Sequence, residues 1–169
     1  MADADEIVLR RWQTGDIESL LRYANNRNVW ITLRDRFPFP YTRPDAEAWI
    51  KLCHPESPIT QFAITLRGEA IGGVGLERMG DVYRLTAEIG YWLGEPFWRR
   101  GIATAAVIKA TAHGFANLGV ERLEARVFGS NPASARVLEK AGYTFEGRLS
   151  RSVIKDGRML DSYLYARLR

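Results

Sequence analysis

Between Glu88 and Thr104 the sequence reads EIGYWLGEPFWRRGIAT, and its residue types suit the binding of an anion. A strand-like run ends at Leu93, a short loop follows, and Arg99-Arg100-Gly101-Ile102-Ala103-Thr104 leads into a helix. The first turn of a helix offers N–H groups with no carbonyl partner and the positive end of the helix dipole. A phosphate fits such a terminus. Gly101 permits close backbone approach because it has no side chain. Ala103 is nearly as small, Thr104 adds a hydroxyl donor, and Arg99 and Arg100 add positive charge. The run is neither a nucleoside-triphosphate loop, which requires Gly-Lys-Ser/Thr, nor the dinucleotide fingerprint G-x-G-x-x-G. Taken alone, it reads equally well as a helix start with two solvated arginines.

A second segment, Asn131 to Gly147, reads NPASARVLEKAGYTFEG. Asn131 is suited to cap a helix, Pro132 to open it and Gly142 to end it. Ser134 stands in the first turn, where its hydroxyl either supports the helix end or serves as a proton donor. Capping explains most of these residues. It does not explain why such a helix follows an anion-ready loop by about thirty residues, with one strand between them.

The elements that must position these residues alternate along the chain. Ile7–Trp12 reads as a strand, and Thr14-Gly15-Asp16 opens a helix to about Asn25. A loop from Asn28 to Phe39 follows, and Thr42-Arg43-Pro44-Asp45 starts a second helix. Gln61–Arg67 and Ala70–Met79 form a hairpin about Gly68-Glu69. Leu85–Leu93 alternates, with Ala87, Ile89, Tyr91 and Leu93 on one face and Thr86, Glu88, Gly90 and Trp92 on the other. A helix from about Arg100 to Leu118 ends at Gly119, and Leu123–Val127 is a strand. After the helix opened by Asn131, two strands, Tyr143–Lys155 (with a possible break) and Met159–Arg167, join through Asp156-Gly157. The interleaving predicts an α/β fold, a mixed sheet covered by helices.

The 169 residues carry 24 Lys+Arg against 20 Asp+Glu, a net charge of +4. This size and a hydrophobic content of 46% suit one globular domain over residues 1–169, and exclude a disordered tail, a collagen-like fibre or a coiled coil. One cysteine, Cys53, cannot form an intramolecular disulfide, and His54 and His113 form no metal-ligand pattern, so no metal site is expected. The opening MADADEIVLRRW lacks the basic and apolar regions of a signal peptide, and no stretch reaches the length of a membrane span. A cytoplasmic protein without membrane association is expected. The mild basicity permits a nucleic-acid or phosphate partner, but no nucleic-acid-binding motif is present.

Together and in this order, the two segments resemble the GCN5-related N-acetyltransferase (GNAT) superfamily. Trp98-Arg99-Arg100-Gly101-Ile102-Ala103 is similar to its coenzyme A pyrophosphate motif, Q/R-x-x-G-x-G/A, and the Asn131 helix with Gly142-Tyr143 is similar to its next motif. Arg36–Ile50, Glu88–Leu93, Asn131-Pro132-Ala133-Ser134, Glu146-Gly147 and Asp161–Leu168 resemble the ribosomal-protein N-terminal acetyltransferase (RimJ/RimL-like) branch. The resemblance implies a mostly antiparallel sheet of about seven strands, splayed at the acetyl-CoA site and flanked by about four helices.

It also implies roles. The backbone of Tyr91, Trp92 and Leu93 would pair with pantetheine, and N–H groups from Arg99 to Thr104 would hold the pyrophosphate. Trp98 replaces the usual Gln/Arg, which removes a polar contact. Asn131 would hold the pantetheine end. Leu138 stands where many members carry the Tyr that protonates the leaving thiolate, and Ser134 matches the serine that takes over in this branch. Tyr143 occupies a Phe position and reads as core. Glu88 is a candidate to accept the proton of the acceptor amine; it is equally a strand glutamate bonded to a neighbour. Arg122, Arg126, Arg136 and Lys140 lie where a coenzyme 3′-phosphate could be met. Trp30, Arg34, Phe37 and Tyr41 are candidates to line the acceptor pocket, as is the last hairpin.

The function implied is acetyl transfer from acetyl-CoA to a primary amine, foremost a protein or peptide N-terminus, by direct attack and without a metal, in a monomer or homodimer. The alternatives are a small amine acceptor (aminoglycoside, polyamine or amino-acid derivative) and a non-catalytic acyl-CoA sensor.

Overall fold

The computed structural model describes residue 4, residues 6–55 and residues 57–169. Of the acidic opening run, residues 1–3 and 5 lie outside the described residues. The strands are β1 (Val8–Arg10), β2 (Gln61–Leu66), β3 (Glu69–Arg78), β4 (Thr86–Leu93), β5 (Arg122–Phe128), β6 (Thr144–Lys155) and β7 (Arg158–Leu168). The helices are α1 (Ile17–Tyr23), α2 (Arg27–Trp30), α3 (Arg43–Cys53), α4 (Ile102–Asn117) and α5 (Pro132–Lys140).

All seven strands form one sheet in the order β1-β2-β3-β4-β5-β7-β6. Every neighbouring pair is antiparallel except β4–β5. The alternation of β4 sorts its side chains onto two cores. Ala87, Ile89 and Leu93 join Ile102, Ala106, Val107 and Ala110 of α4 on one face. Trp92 packs on the other with Trp12, Leu20, Tyr41 and Ala46, between the sheet and α1 and α3. Gly73 makes room there: a Cβ on it would stand 2.8 Å from Trp92 Nε1 and 3.1 Å from Trp12 Cζ2.

The turn and cap signals explain the boundaries. Asp156 and Gly157 both adopt positive φ, 50° and 71°, as a tight hairpin with the sheet's twist demands. Thr42 and Asp45 form a capping box at α3, with Asp45 in place of the usual Glu and its Oδ2 accepting the Thr42 N–H at 2.7 Å. Helix α4 closes one residue before Leu118, and Gly119 follows at φ 63°.

Three expectations change. The first strand covers only Val8–Arg10, while Ile7 and Trp12 on either side are buried as anchors. The loop from Asn28 contains the end of α2, four residues capped by Asn26 Oδ1, which accepts the Asn28 N–H at 2.7 Å. Among the described residues α2 brings the α-helices to five, in keeping with the expected handful flanking the sheet. One turn is too short to show an apolar period. Finally, β6 is continuous but bulged: the register slips between Leu149 and Val153, Arg151 sits at φ 52°, and its N–H donates to Asp161 Oδ1 at 2.8 Å.

Candidate active site

Parallel pairing between β4 and β5 lasts for three residues, Thr86–Arg122, Ala87–Leu123 and Glu88–Glu124, and then stops. From Ile89 to Leu93 the strand keeps β3 on one side, while β5 turns to β7 on its other side. The β5-facing backbone edge of β4 is therefore left without a strand partner in the stretch containing Tyr91, Trp92 and Leu93. Unpaired strand edges accept an extended ligand through backbone hydrogen bonds. The opening belongs to a cavity of about 1900 Å³.

The loop from Trp98 to Gly101 closes one end. Arg99 and Gly101 adopt left-handed backbone, φ 62° and 78°. The helix ladder begins when Ala105 N–H reaches the Gly101 carbonyl at 3.1 Å. Ahead of it, Ile102, Ala103 and Thr104 have no i−4 carbonyl within the helix. Among the described residues, a Cβ on Gly101 would meet only Ala4 Cβ, at 3.6 Å. These features fit a phosphate cradle. The Trp98 indole N–H donates to the Leu93 carbonyl at 2.7 Å and ties the loop to the end of β4. The Arg100 guanidinium lies over the Phe97 ring, 5.6 Å from its centroid.

Ser134 stands across the opening. Its Oγ is 2.7 Å from the Tyr91 phenol oxygen, which also lies 3.1 Å from the Ser134 carbonyl. Burial pushes the Tyr91 phenol far above its usual value, against the smaller opposing effect of the Ser134 hydrogen bond. The phenol thus keeps its proton and has two acceptors within reach. When it turns to Oγ, the serine proton is left to point elsewhere. Asn131 caps α5, with Oδ1 accepting the Ser134 N–H at 3.2 Å. Leu138 is fully buried, and Tyr143 is core, its hydroxyl 2.7 Å from Thr111 Oγ1.

Glu88 is one of three carboxylates in register across three strands, between Glu77 on β3 and Glu124 on β5. Adjacent like charges repel across a sheet unless each is matched. Here each is: Glu77 by Arg36 at 2.7 Å, Glu88 by Arg34, and Glu124 by Arg122 at 3.2 Å. The Arg36 guanidinium holds the Glu77 carboxyl below its ordinary value. Next to this row, Gly75 and Gly90 pair in register and form a floor without side chains. Gln61 lies over Gly75, where a Cβ would stand 2.0 Å from its Oε1.

The structure brings together most residues singled out from the sequence. Glu88, Tyr91, Trp92, Leu93, Asn131, Ser134 and the run Arg99, Arg100, Gly101, Ile102, Ala103, Thr104 all line the one cavity. Arg34, Phe37 and Tyr41 line it too, as does the hairpin through Ser152–Lys155. Trp30 instead stacks on Phe39 and lies 3.7 Å from Lys155 Nζ. Arg136 and Lys140 reach the cavity, but Arg122 is committed to Glu124 and Glu146, the latter at 2.5 Å. Arg122 does not line the cavity. The Tyr91 phenol, the Trp98 indole N–H and Gln61 were not singled out. Only Trp98 carried a signal, the polar handle of a large ring in a loop.

Among the described residues no group of His, Cys, Asp and Glu is placed to hold a metal, and no helix is long and apolar enough to cross a membrane. Comparison with known proteins gives a consistent picture. Residues 6–144 match the acetyltransferase (GNAT) domain family. The chain is 37% identical over 98 residues to the uncharacterized N-acetyltransferase YoaA of Bacillus subtilis, covering 58% of this chain and about half, 55%, of that protein. It is 31% identical over 172 residues to the ribosomal-protein-serine acetyltransferase of Escherichia coli, covering 98% of this chain and 94% of that one. The solved structure of Mycobacterium smegmatis RimJ in complex with CoA-disulfide superposes with a TM-score of 0.83 at 26% identity, covering 96% of this chain and 81% of that one.

Proposed function

Since the chain belongs to the GNAT acetyltransferase family, we propose that it transfers an acetyl group from acetyl-CoA to a primary amine, foremost the α-amine of a protein or peptide N-terminus, and that residues 1–169 act as one cytoplasmic domain. The observation that carries this reading is the parting of β4 from β5 after Glu88, with the α4 N-terminus at one end and the Tyr91–Ser134 hydroxyl pair across the gap.

The bound coenzyme supplies a thioester carbonyl and a thiol leaving group. The β4 edge at Tyr91, Trp92 and Leu93 holds the pantetheine arm, and the N–H groups from Arg99 to Thr104 receive the pyrophosphate. Arg99 and Arg100 add charge there, and Asn131 keeps the α5 end in place.

The amine attacks only as a neutral nitrogen. It gives one proton to Glu88, and through it to solvent, then forms the C–N bond with the carbonyl carbon as the C–S bond breaks. The departing sulfur takes the Ser134 hydroxyl proton. The second proton lost by nitrogen restores it, so two protons leave the amine and one ends on sulfur. Tyr91 positions Ser134 Oγ throughout. Orientation of the two substrates supplies much of the rate, because aminolysis needs no covalent enzyme intermediate.

A thiol-release assay with acetyl-CoA, run across N-terminal peptides and small amines, tests the reading. Turnover of peptides above small amines is expected. A preference for polyamines or aminoglycosides would overturn the acceptor assignment. No release with any amine would overturn the activity.

A further inference from the structure

The acceptor half of the cavity holds an ion pair that the transfer chemistry does not need as it stands. Glu88 sits mid-strand with its side chain 19% exposed, and it is held by Arg34, which is 46% exposed and reaches in from the segment after α2. While the guanidinium occupies the carboxylate, Glu88 cannot take a proton from an amine. An incoming ammonium must displace it. If the acceptor brought nothing else, Arg34 would exchange a charge-assisted hydrogen bond for water.

The neighbouring charges narrow the choice of acceptor. Of the other carboxylates lining this half, Glu77 is paired with Arg36 at 2.7 Å and Asp35 with Lys155 at 2.7 Å, while Asp45 accepts from Thr42 at 2.7 Å. Among the described residues, a polyamine's second ammonium finds no carboxylate waiting there. An extra positive charge is present instead: Arg126, half-exposed, lines the cavity with its nearest carboxylate oxygen, on Glu124, 3.8 Å away.

We propose that the Arg34–Glu88 pair is an exchange site selecting acceptors that carry a carboxylate a few ångströms from the amine. The acceptor's ammonium replaces the guanidinium on Glu88, and its carboxylate takes the guanidinium of Arg34. Two ion pairs replace one, and Glu88 becomes free to receive the amine's proton. A free amino acid and a peptide with an acidic residue near its N-terminus both present this chemistry. The inference rests on the acetyltransferase reading above and narrows its acceptor.

Matched acceptors test it. Thiol release is measured for L-alanine against L-alaninamide, for the peptide amides Ala-Asp-Ala and Ala-Asn-Ala, and for spermidine, with the native chain and the variants Arg34→Gln and Arg34→Lys. In at least one pair the native chain should favour the carboxylate member in kcat/KM by about tenfold, the size of one charge-assisted hydrogen bond. Arg34→Gln should shrink that ratio to near one, and Arg34→Lys should restore part of it. The pair that responds identifies the source, free amino acid or peptide. Equal rates within both pairs, a ratio that survives Arg34→Gln, or a preference for spermidine would overturn the proposal. Acetyl-CoA should raise the melting temperature of all three proteins. That rise, with turnover of other amines in the wider screen but of none of these acceptors, overturns the exchange site alone, while no rise in the native chain overturns the acetyltransferase reading beneath it.

Discussion

The Tyr91 phenol oxygen stands 2.7 Å from Ser134 Oγ and joins the free stretch of β4 to the first turn of α5. The contact spans the opening between the strands, where a thioester sulfur would sit in the proposed reaction. A hydroxyl has one proton and a freely turning bond, so it needs a neighbour to fix its direction. Tyr91 is well suited because burial keeps its phenol protonated.

Ser134→Ala is therefore expected to lower kcat by about 10²-fold, the low end of proton-transfer contributions, with little change in acetyl-CoA affinity. Tyr91→Phe should cost about tenfold, and the double variant should be no slower than Ser134→Ala, because Tyr91 acts through the serine. Steady-state kinetics with saturating acetyl-CoA reads all three. Additive losses would mean that Tyr91 acts on its own.

The phosphate cradle can be tested by closing it. Gly101 lies at φ 78°, so Gly101→Val should destabilise the free protein by about 1–2 kcal/mol through left-handed strain. More telling is the coenzyme response. Acetyl-CoA at about 100 times Kd adds roughly 2.7 kcal/mol to a protein that binds it, and the variant's Cβ stands where the phosphate would approach. Thermal denaturation with and without acetyl-CoA should show the rise in the native chain and its loss in Gly101→Val.

Much of this site was legible because it is built from local signals. A helix start rich in small residues and arginine, an Asn-Pro cap and a Gly terminator each act over a few residues, and all formed where the sequence put them. The β4 alternation also correctly put Glu88 and Trp92 on the face opposite Tyr91. What did not appear was pairing across elements. Nothing beside Tyr91 in the sequence points to Ser134, and nothing near Glu88 points to Arg34, because those distances are set by how α5 and the segment after α2 lie against β4. Arg122 shows the same limit from the other side. Its charge suits a phosphate, and its partners come from Glu124, two residues along the same strand, and from Glu146, which the return of β6 brings beside it.

Acid should weaken the fold in a defined window. Arg36 holds the Glu77 carboxyl below the ordinary glutamate value, Asn26 and Asn28 do so for Glu95, and Arg122 for Glu146. A carboxyl depressed in the folded state adds stability above its unfolded pKa, about 4.3 for glutamate, and loses it as pH falls through the folded value. Denaturation midpoints should thus be flat in these groups above about pH 5 and drop progressively below about pH 4. Glu146→Gln should flatten part of that drop. An unchanged slope would mean that its pairing with Arg122 is too solvated to matter.

Gly90 separates catalysis from folding most cleanly. It lies at ordinary strand geometry on β4, beside Gly75 and one residue from Tyr91, and a Cβ added to it would meet nothing within 4 Å. A larger side chain therefore has room and projects on the Glu88 side of the sheet, into the cavity that Gly90 lines. Gly90→Leu should leave the melting temperature unchanged or raise it by about 1–3 °C, because glycine in a strand carries an entropic cost. The same substitution fills the space where amine and thioester must meet, and turnover should fall by more than about 10²-fold, since misplacing reactants by an ångström has that effect. Gly90→Ala, adding one methyl group, should fall between. Melting curves and thiol release on the same preparations check both halves. A stable variant with full activity would move the reaction centre away from this floor.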